Sequence, residues 1–312
     1  MDITIIVPVY NRAHLVGATL DSIAAQTLRP IHLVLVDNNS QDNTLKVLLD
    51  FKKRHQSDDF KVTVLQETRR GAAAARNCGM QEATTEWVMF FDSDDIMAPD
   101  LLESYARAVE KHADAEIVIT RVAVKPVGGK IRQLPYFESD FFANHLLHCT
   151  LSTVRYIVRR KCVMNAGGWN VALPVWDDYE LGVRLLLQLP SLAFVPDHCR
   201  VTVISGEESI SGLDFSSRHE GCERALDAIE KTLEKSAHPQ ADRLLRIVDY
   251  RRVVLAASYA HEGHLELANP LYGSVIRKYV SSPVLSTLFA IAYDYIRHGG
   301  RGFGRLIRLI VR

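Results

Sequence analysis

Residues Trp87–Asp95 read WVMFFDSDD. The unbroken apolar run Trp87-Val88-Met89-Phe90-Phe91 fits a strand buried on both faces, because such a strand loses the in–out alternation of a half-exposed one. Directly after it stand Asp92, Asp94 and Asp95, whose charges repel one another. A protein that ends a buried strand on clustered carboxylates needs something to balance them. A divalent cation takes hard oxygen ligands of this kind; hydroxyls or helix N-terminal amides are the other ordinary partners. The plainest alternative is that Asp94 or Asp95 only caps the next helix.

Outward from this stretch the same alternation recurs. Ile3–Val7, Ile31–Val36 and Val62–Leu65 are further short apolar runs. Between them, helical patterns cover Ala13 to about Gln26, Asn43 to His55 (with Asp42 or Asn43 as its cap), and alanine-rich Gly71 to Ala83. Pro99 to His112 makes another helix, with proline in its first turn. Strands alternating with helices predict a mostly parallel sheet covered on both faces. Ligands bind such sheets beyond the C-terminal strand ends. Three polar loops leave those ends: Pro8–Arg12, Asp37–Asp42 and Asp92–Asp95. They are expected to meet in one crevice. Asp37 directly follows an apolar strand, where a buried carboxylate requires a partner; the N–H edge of a base such as uracil would supply one. Ser40 and Asp42 read as an Asx turn and helix cap.

Composition removes several classes. Lys plus Arg equals Asp plus Glu at 37 each in 312 residues, so the chain as a whole has no bias toward nucleic acid. Its five cysteines are scattered with no C-x-x-C, which reads as reduced thiols in a cytosolic protein. The run Ile3–Val7 meets Pro8 without a preceding basic region and reads as a strand, not a signal peptide. The longest apolar stretch, Val284 to Ile296, is interrupted by Asp294 and falls short of the roughly 18 residues a span needs. No G-x-G-x-x-G follows the first strand, against a dehydrogenase. Pro8–Arg12 is not the glycine-rich basic loop a nucleotidyltransferase would use for a triphosphate.

From Glu116 to about Ser211, short strands (Ile117–Val124, Val154–Val158, Val201–Ile204) mix with short helices, and from about Phe215 the pattern is helical. The expected division is a catalytic domain over 1–214 and a helical region over 215–312. Within the first, P-V-Y-N (Pro8–Asn11), V-D-N-N-S-x-D-N-T (Val36–Thr44), R-G-A-A-A-A-R-N-C-G (Arg70–Gly79), F-D-S-D-D (Phe91–Asp95), G-G-W-N (Gly167–Asn170) and W-D-D-Y-E-L (Trp176–Leu181) resemble glycosyltransferase family 2. The resemblance covers roughly residues 1 to 212 and implies inverting sugar transferases of the GT-A fold: an α/β, Rossmann-like, mostly parallel sheet with flanking helices, here extended by C-terminal helices.

By that resemblance Asp37 binds the nucleobase, with Pro8, Tyr10 and Arg12 beside base and ribose. Arg70 and Gly71 flank the nucleotide, while Arg76 and Asn77 lie on the helix that supports the acidic loop, and Arg76 is counted with the donor-binding set. Asp92 and Asp94 form the D-x-D pair that holds Mn²⁺ or Mg²⁺ with the donor's diphosphate and ribose. Asp178 is the catalytic base. The pair reads Asp177-Asp178 where the family has Glu-Asp. Trp169, Trp176 and Asp177 are candidates for the acceptor side; Asp177-Asp178 could also simply cap the following helix, expected over Tyr179–Leu189. The family often places a metal-ligating histidine just before an S-x-S element. Here Ser209-Ile210-Ser211 is preceded by Glu207 and Glu208 with no histidine.

These assignments suit the chemistry. A cation can neutralise the charge that grows on the leaving diphosphate, and a carboxylate across the sugar can take the acceptor's proton. The expected function is transfer from a nucleotide-sugar, a UDP-sugar, to a glycan or lipid-linked acceptor in surface polysaccharide synthesis. The alternatives are a catalytically degenerate scaffold and a sugar-nucleotide hydrolase. After Asp294 the chain has no acidic residue, while Arg297, Arg301, Arg305, Arg308 and Arg312 alternate with apolar residues. Such a tail can lie on an anionic membrane face, which makes a cytoplasmic enzyme peripheral at the inner face of the membrane the expected location; the alternative is a tail packed on the protein's own helices.

Overall fold

A computed structural model describes residues 1–126, 128–196, 198–205, 214–304 and 307. The chain divides into two compact units, one of residues 1–138 and 150–208, the other of 139–149 and 209–312. The helix Phe141–His148 therefore groups with the C-terminal helices, although it lies within the span 1–214 read as one domain.

The first unit carries eleven strands among the described residues: β1 (Ile3–Val9), β2 (Ile31–Asp37), β3 (Phe60–Gln66), β4 (Trp87–Phe90), β5 (Ile96–Met97), β6 (Ile117–Ile119), β7 (Val122–Pro126), β8 (Arg132–Gln133), β9 (Tyr156–Arg159), β10 (Leu192–Phe194) and β11 (Val201–Ser205). Seven of them form one sheet in the order β10-β6-β9-β4-β1-β2-β3. β1 pairs in parallel with β2 and β4, and β2 with β3. Only β9 runs against its neighbours β4 and β6, so the mostly parallel GT-A sheet is what the chain forms. In the β1–β2 register Val9 faces Asp37, which puts the first two strand ends side by side.

Every residue of β2 is buried, and so is every residue of β4, as uninterrupted apolar runs require. The alanine-rich helix Ala72–Glu82 lies on this sheet with Ala73, Ala74 and Ala75 buried. A Cβ at Gly79 would collide with the Ile6 side chain, so small residues here set a close helix–sheet approach. The single strand expected over Ile117–Val124 is two: β6 joins the large sheet, and β7 joins a four-stranded sheet ordered β5-β11-β7-β8. The chain turns at Thr120, whose N–H donates to the Arg155 carbonyl at 2.8 Å. Apolar periodicity cannot register such a change of sheet.

The second unit is helical: Phe141–His148, His219–Glu234, Ala241–His261, Leu265–Lys278 and Pro283–Arg297. Leu226, Ile229, Leu244, Val248, Val253 and Tyr259 are fully buried there. Among the described residues no helix is long and apolar enough to cross a membrane. The tail positions 305, 306 and 308–312, and with them Arg305, Arg308 and Arg312, lie outside the described residues.

Candidate active site

Beyond the β1 and β2 ends, two loops are stitched together by short polar side chains. The Asn11 N–H donates to Ser40 Oγ at 3.0 Å, the Gln41 N–H to Asn11 Oδ1 at 2.8 Å, and the Arg12 N–H to Thr44 Oγ1 at 2.9 Å. Asp42 accepts the Thr44 hydroxyl at 2.5 Å and the N–H groups of Thr44 at 2.9 Å and Ala13 at 3.1 Å; against burial, these bonds, the hydroxyl's first, hold its carboxyl below the usual range. Asn38 joins the third loop, donating to the carbonyls of Glu67 at 3.0 Å and Arg69 at 2.7 Å and accepting from the Gly71 N–H at 2.8 Å. Much of the V-D-N-N-S-x-D-N-T stretch is thus scaffolding. Asp37 is the exception: it is 1% exposed, and its Oδ1 has no hydrogen-bond partner. A buried carboxylate oxygen left open is costly, and a ligand N–H would satisfy it. Pro8 is half-buried at the same edge, Tyr10 is 42% exposed, and Arg70 and Gly71 are exposed.

At the β4 end the three aspartates part ways. Asp92 Oδ1 accepts from Arg76 at 2.8 Å. Asp95 is buried and accepts the Ile204 N–H at 3.0 Å, tying the loop to β11; burial and the charges of Asp92 and Asp94 push its carboxyl up to about 9. Asp94 is raised too, by burial and by Asp92, with the Arg12 charge opposing. This all-oxygen pair, Asp92 and Asp94, suits a hard dication, which would relieve the repulsion that raises Asp94. Among the described residues no three His, Cys, Asp or Glu side chains are gathered as a metal-binding group. Glu207, Glu208 and the Ser209–Ser211 element lie outside the described residues.

Arg76 organises the rest. It is 5% exposed, gives its other amine to Asp177 Oδ2 at 2.8 Å, and stacks on Trp169 at 4.3 Å from the ring centre. Both guanidinium ends are therefore held by carboxylates, and Arg76 lies behind the acidic loop as its support. Trp169 is buried and meets Phe90 edge-on at 4.9 Å, a core position. Asn77 brackets it, accepting the Trp169 N–H and donating to its carbonyl, each at 2.8 Å. Gly168 sits at φ +73, and a Cβ there would stand 2.8 Å from Asn77 Oδ1. The R-N pair of one motif thus docks the G-G-W of another.

Trp176, at φ 58, opens the helix Asp177–Leu186, which begins two residues before the expected one. Both aspartates fall in its first turn, where the helix dipole favours negative charge. Asp178 Oδ1 accepts the Tyr179 N–H at 2.7 Å, and Oδ2 faces the Thr153 N–H at 3.4 Å. Burial and then the charge of Asp177 push Asp178 up to about 6, with Arg76 opposing. Asp177 is also raised, chiefly by burial, against the pull of Arg76. Glu180 is buried and paired with Arg184, which also donates to the Gly168 carbonyl at 2.7 Å. The contributions of Asn38, Thr153 and Ile204 escape sequence reading. The last two act through backbone N–H groups, which carry no residue signature.

The glycosyl transferase family 2 profile matches residues 4–165, just over half of the chain, and the chain belongs to this family. An uncharacterized glycosyltransferase of Haemophilus influenzae is 27% identical over 194 residues, 61% of this chain and 63% of its own. A PGL/p-HBAD biosynthesis glycosyltransferase of Mycobacterium bovis is 28% identical over 208 residues, 66% and 76% of the two chains. A poly(ribitol-phosphate) beta-glucosyltransferase of Bacillus spizizenii is 33% identical over 135 residues, 42% of this chain and 20% of its own. The matches reach from 16% to 63% of the length of the first five such relatives. Among solved structures, S. aureus TarS 1-349 in complex with UDP-GlcNAc superposes with a TM-score of 0.74 at 18% identity, covering 96% of this chain and 93% of that one. The mannosyltransferase PcManGT of Pyrobaculum calidifontis, in complex with GDP-Man and Mn²⁺, gives 0.59 at 19% identity, covering 98% and 84%. These two likenesses establish the GT-A fold.

Proposed function

We propose that this protein is an inverting glycosyltransferase that moves a sugar from a UDP-sugar to a glycan or lipid-linked acceptor in surface polysaccharide synthesis. The observation that carries the reading is Arg76: one buried guanidinium joins Asp92, at the end of β4, to Asp177, beside Asp178. The carboxylates on the donor side and the acceptor side therefore belong to one site. The UDP-GlcNAc complex of TarS supports the donor, and the names of two relatives, a poly(ribitol-phosphate) beta-glucosyltransferase and a PGL/p-HBAD biosynthesis glycosyltransferase, support the acceptor class.

In this reading the open oxygen of Asp37 takes the base N–H, while Pro8, Tyr10, Arg12, Arg70 and Gly71 enclose base and ribose. Asp94 and Asp92 would hold a Mn²⁺ or Mg²⁺ ion, which would supply positive charge against the charge growing on the departing diphosphate. Arg76 positions Asp92 and Asp177 and does not itself touch the donor. Asp178 removes the acceptor hydroxyl's proton as the oxygen attacks the anomeric carbon from the opposite face. The new C–O bond forms, the bond to the diphosphate breaks, and the nucleoside diphosphate leaves with that electron pair. A base held near pKa 6 is ionised at neutral pH yet basic enough to take a proton. Trp176 lines the acceptor side; Trp169 and Asp177 shape it from behind.

The test is a donor panel: UDP-, GDP-, dTDP- and CMP-sugars with Mn²⁺, Mg²⁺ or EDTA, following nucleotide release. Metal-dependent release from a UDP-sugar, lost in Asp94→Ala, is expected. Absence of both release and calorimetric UDP binding with Mn²⁺ would overturn the reading.

A further inference from the structure

The helical unit contains a cavity of about 480 Å³ to which none of the candidate active-site residues contributes. Val254, Ile296 and Phe303 give it apolar wall, and Arg251 and Arg301 bring cationic groups to it. Its carboxylate, Glu262, is already engaged: it accepts the N–H groups of Phe215 at 2.9 Å and Ser216 at 2.8 Å. Arg251 gives one N–H to the Leu147 carbonyl at 3.3 Å, and Arg301 is exposed. A concave, partly apolar site of several hundred Å³ with a few convergent polar groups is the ordinary form of a small-ligand pocket. Apolar wall beside two guanidinium groups selects a ligand with a hydrocarbon part and a compact anionic head; phosphate suits the guanidinium fork best.

A second observation points the same way. The helix that supplies Ile296, Pro283–Arg297, presents Val284, Ile291 and Tyr295 to solvent at 67%, 51% and 46% exposure. Their spacing of seven and then four residues puts them on one helix face. The one acidic residue of that helix, Asp294, is paired with Arg297 at 2.6 Å. An exposed apolar stripe leading to a cationic cavity is the pattern of an element that rests on a lipid surface.

We propose that the cavity bounded by Arg251, Arg301, Val254 and Phe303 binds the phosphate head and first carbons of an anionic amphiphile. This deepens, and rests on, the membrane and lipid-linked-acceptor part of the reading above. Two sources share that chemistry, a bilayer phospholipid and a phosphorylated polyprenyl acceptor.

The experiment is titration of the full chain with monomeric dodecyl phosphate, dodecyl maltoside and inorganic phosphate. Saturable binding of dodecyl phosphate is expected, at least tenfold tighter than of the other two. Val254→Trp, which fills the cavity, should abolish it; Arg301→Glu, a surface change that spares the fold, should weaken it at least tenfold. UDP binding with Mn²⁺ is measured on the same samples and should stay unchanged, so failure of the cavity and failure of the transferase reading are told apart. Equal affinity for dodecyl maltoside, or wild-type affinity in Arg301→Glu, would sink the proposal. Sedimentation with phosphatidylcholine vesicles doped with phosphatidylglycerol or with a polyprenyl phosphate then separates the sources. Capture by either supports the site and names its ligand, and capture by neither overturns it.

Discussion

Two buried arginines in this molecule do similar work with different results. In the helical unit Arg252 holds Asp227 at 2.8 Å, Glu230 at 2.7 Å and Asp249 at 3.3 Å. Lys278 adds bonds to Glu230 at 2.6 Å and Asp249 at 2.9 Å, and the Tyr279 hydroxyl donates to Asp249 at 2.8 Å. That network is nearly closed, and Lys278 and Arg252 hold Glu230 below its ordinary range against the cost of burial. At the sheet edge Arg76 alone bridges Asp92 and Asp177. Around them Asp94, Asp95 and Asp178 are all pushed up, and Asp37 keeps an open oxygen. A complete network explains itself as structure. An incomplete one, with carboxylates in excess, is where a cation and a polar ligand are wanted.

Substitutions can break or sharpen this contrast. The largest effect is expected from Asp178→Asn: turnover falls by about 10²–10⁴-fold, the usual worth of a general base, while calorimetry shows UDP and Mn²⁺ binding retained. Full turnover would make Asp178 as structural as Asp249. Next, Arg252→Met removes one of two cations from Glu230 and Asp249, which Lys278 still holds, and should cost about 1.5–3 kcal/mol, the range for hydrogen bonds to charged groups, in urea unfolding, with kcat per folded molecule unchanged. Arg76→Met should lower both stability and kcat; equal kcat effects from the two arginines would erase the distinction.

The pH profile gives a smaller, graded test. In the proposed role Asp178 works only when ionised, and its carboxyl is raised to about 6. The protonated, inactive fraction therefore grows as pH falls through that value. kcat/KM should be level above about pH 6 and drop roughly tenfold per unit below it. The smallest effect is expected at Asp37. Asp37→Asn should weaken UDP binding by about 1.5–3 kcal/mol, the range for a hydrogen bond to a charged group. Thermal melting should be unchanged or higher, because a buried open carboxylate is itself unfavourable.

The alternation of strands and helices in the first third was legible because β1, β2 and β4 are short apolar runs separated by helical patterns. Asp37, Asp92 and Asp94 stood out because carboxylates directly after buried apolar runs are chemically conspicuous; Asp178 stood out only through the resemblance of Trp176–Leu181 to the family's motif. Less was legible where one pattern serves two ends. The same apolar period runs through β6 and β7, yet they enter different sheets. Trp169 has the residue type of an acceptor platform but lies in the core under Arg76.

By itself, then, the amino-acid order determined the alternation of elements, the polar loops at one sheet edge, and the residue types fit for a dication and a base. Those follow from local periodicity and intrinsic chemistry. Tertiary structure decided that Arg76 joins Asp92 to Asp177, that Asn77 clasps Trp169, 92 positions further along the chain, and that Phe141–His148 belongs with the C-terminal helices. Those depend on which distant segments share a buried volume, and on the charge balance inside it, neither of which any local stretch of sequence encodes.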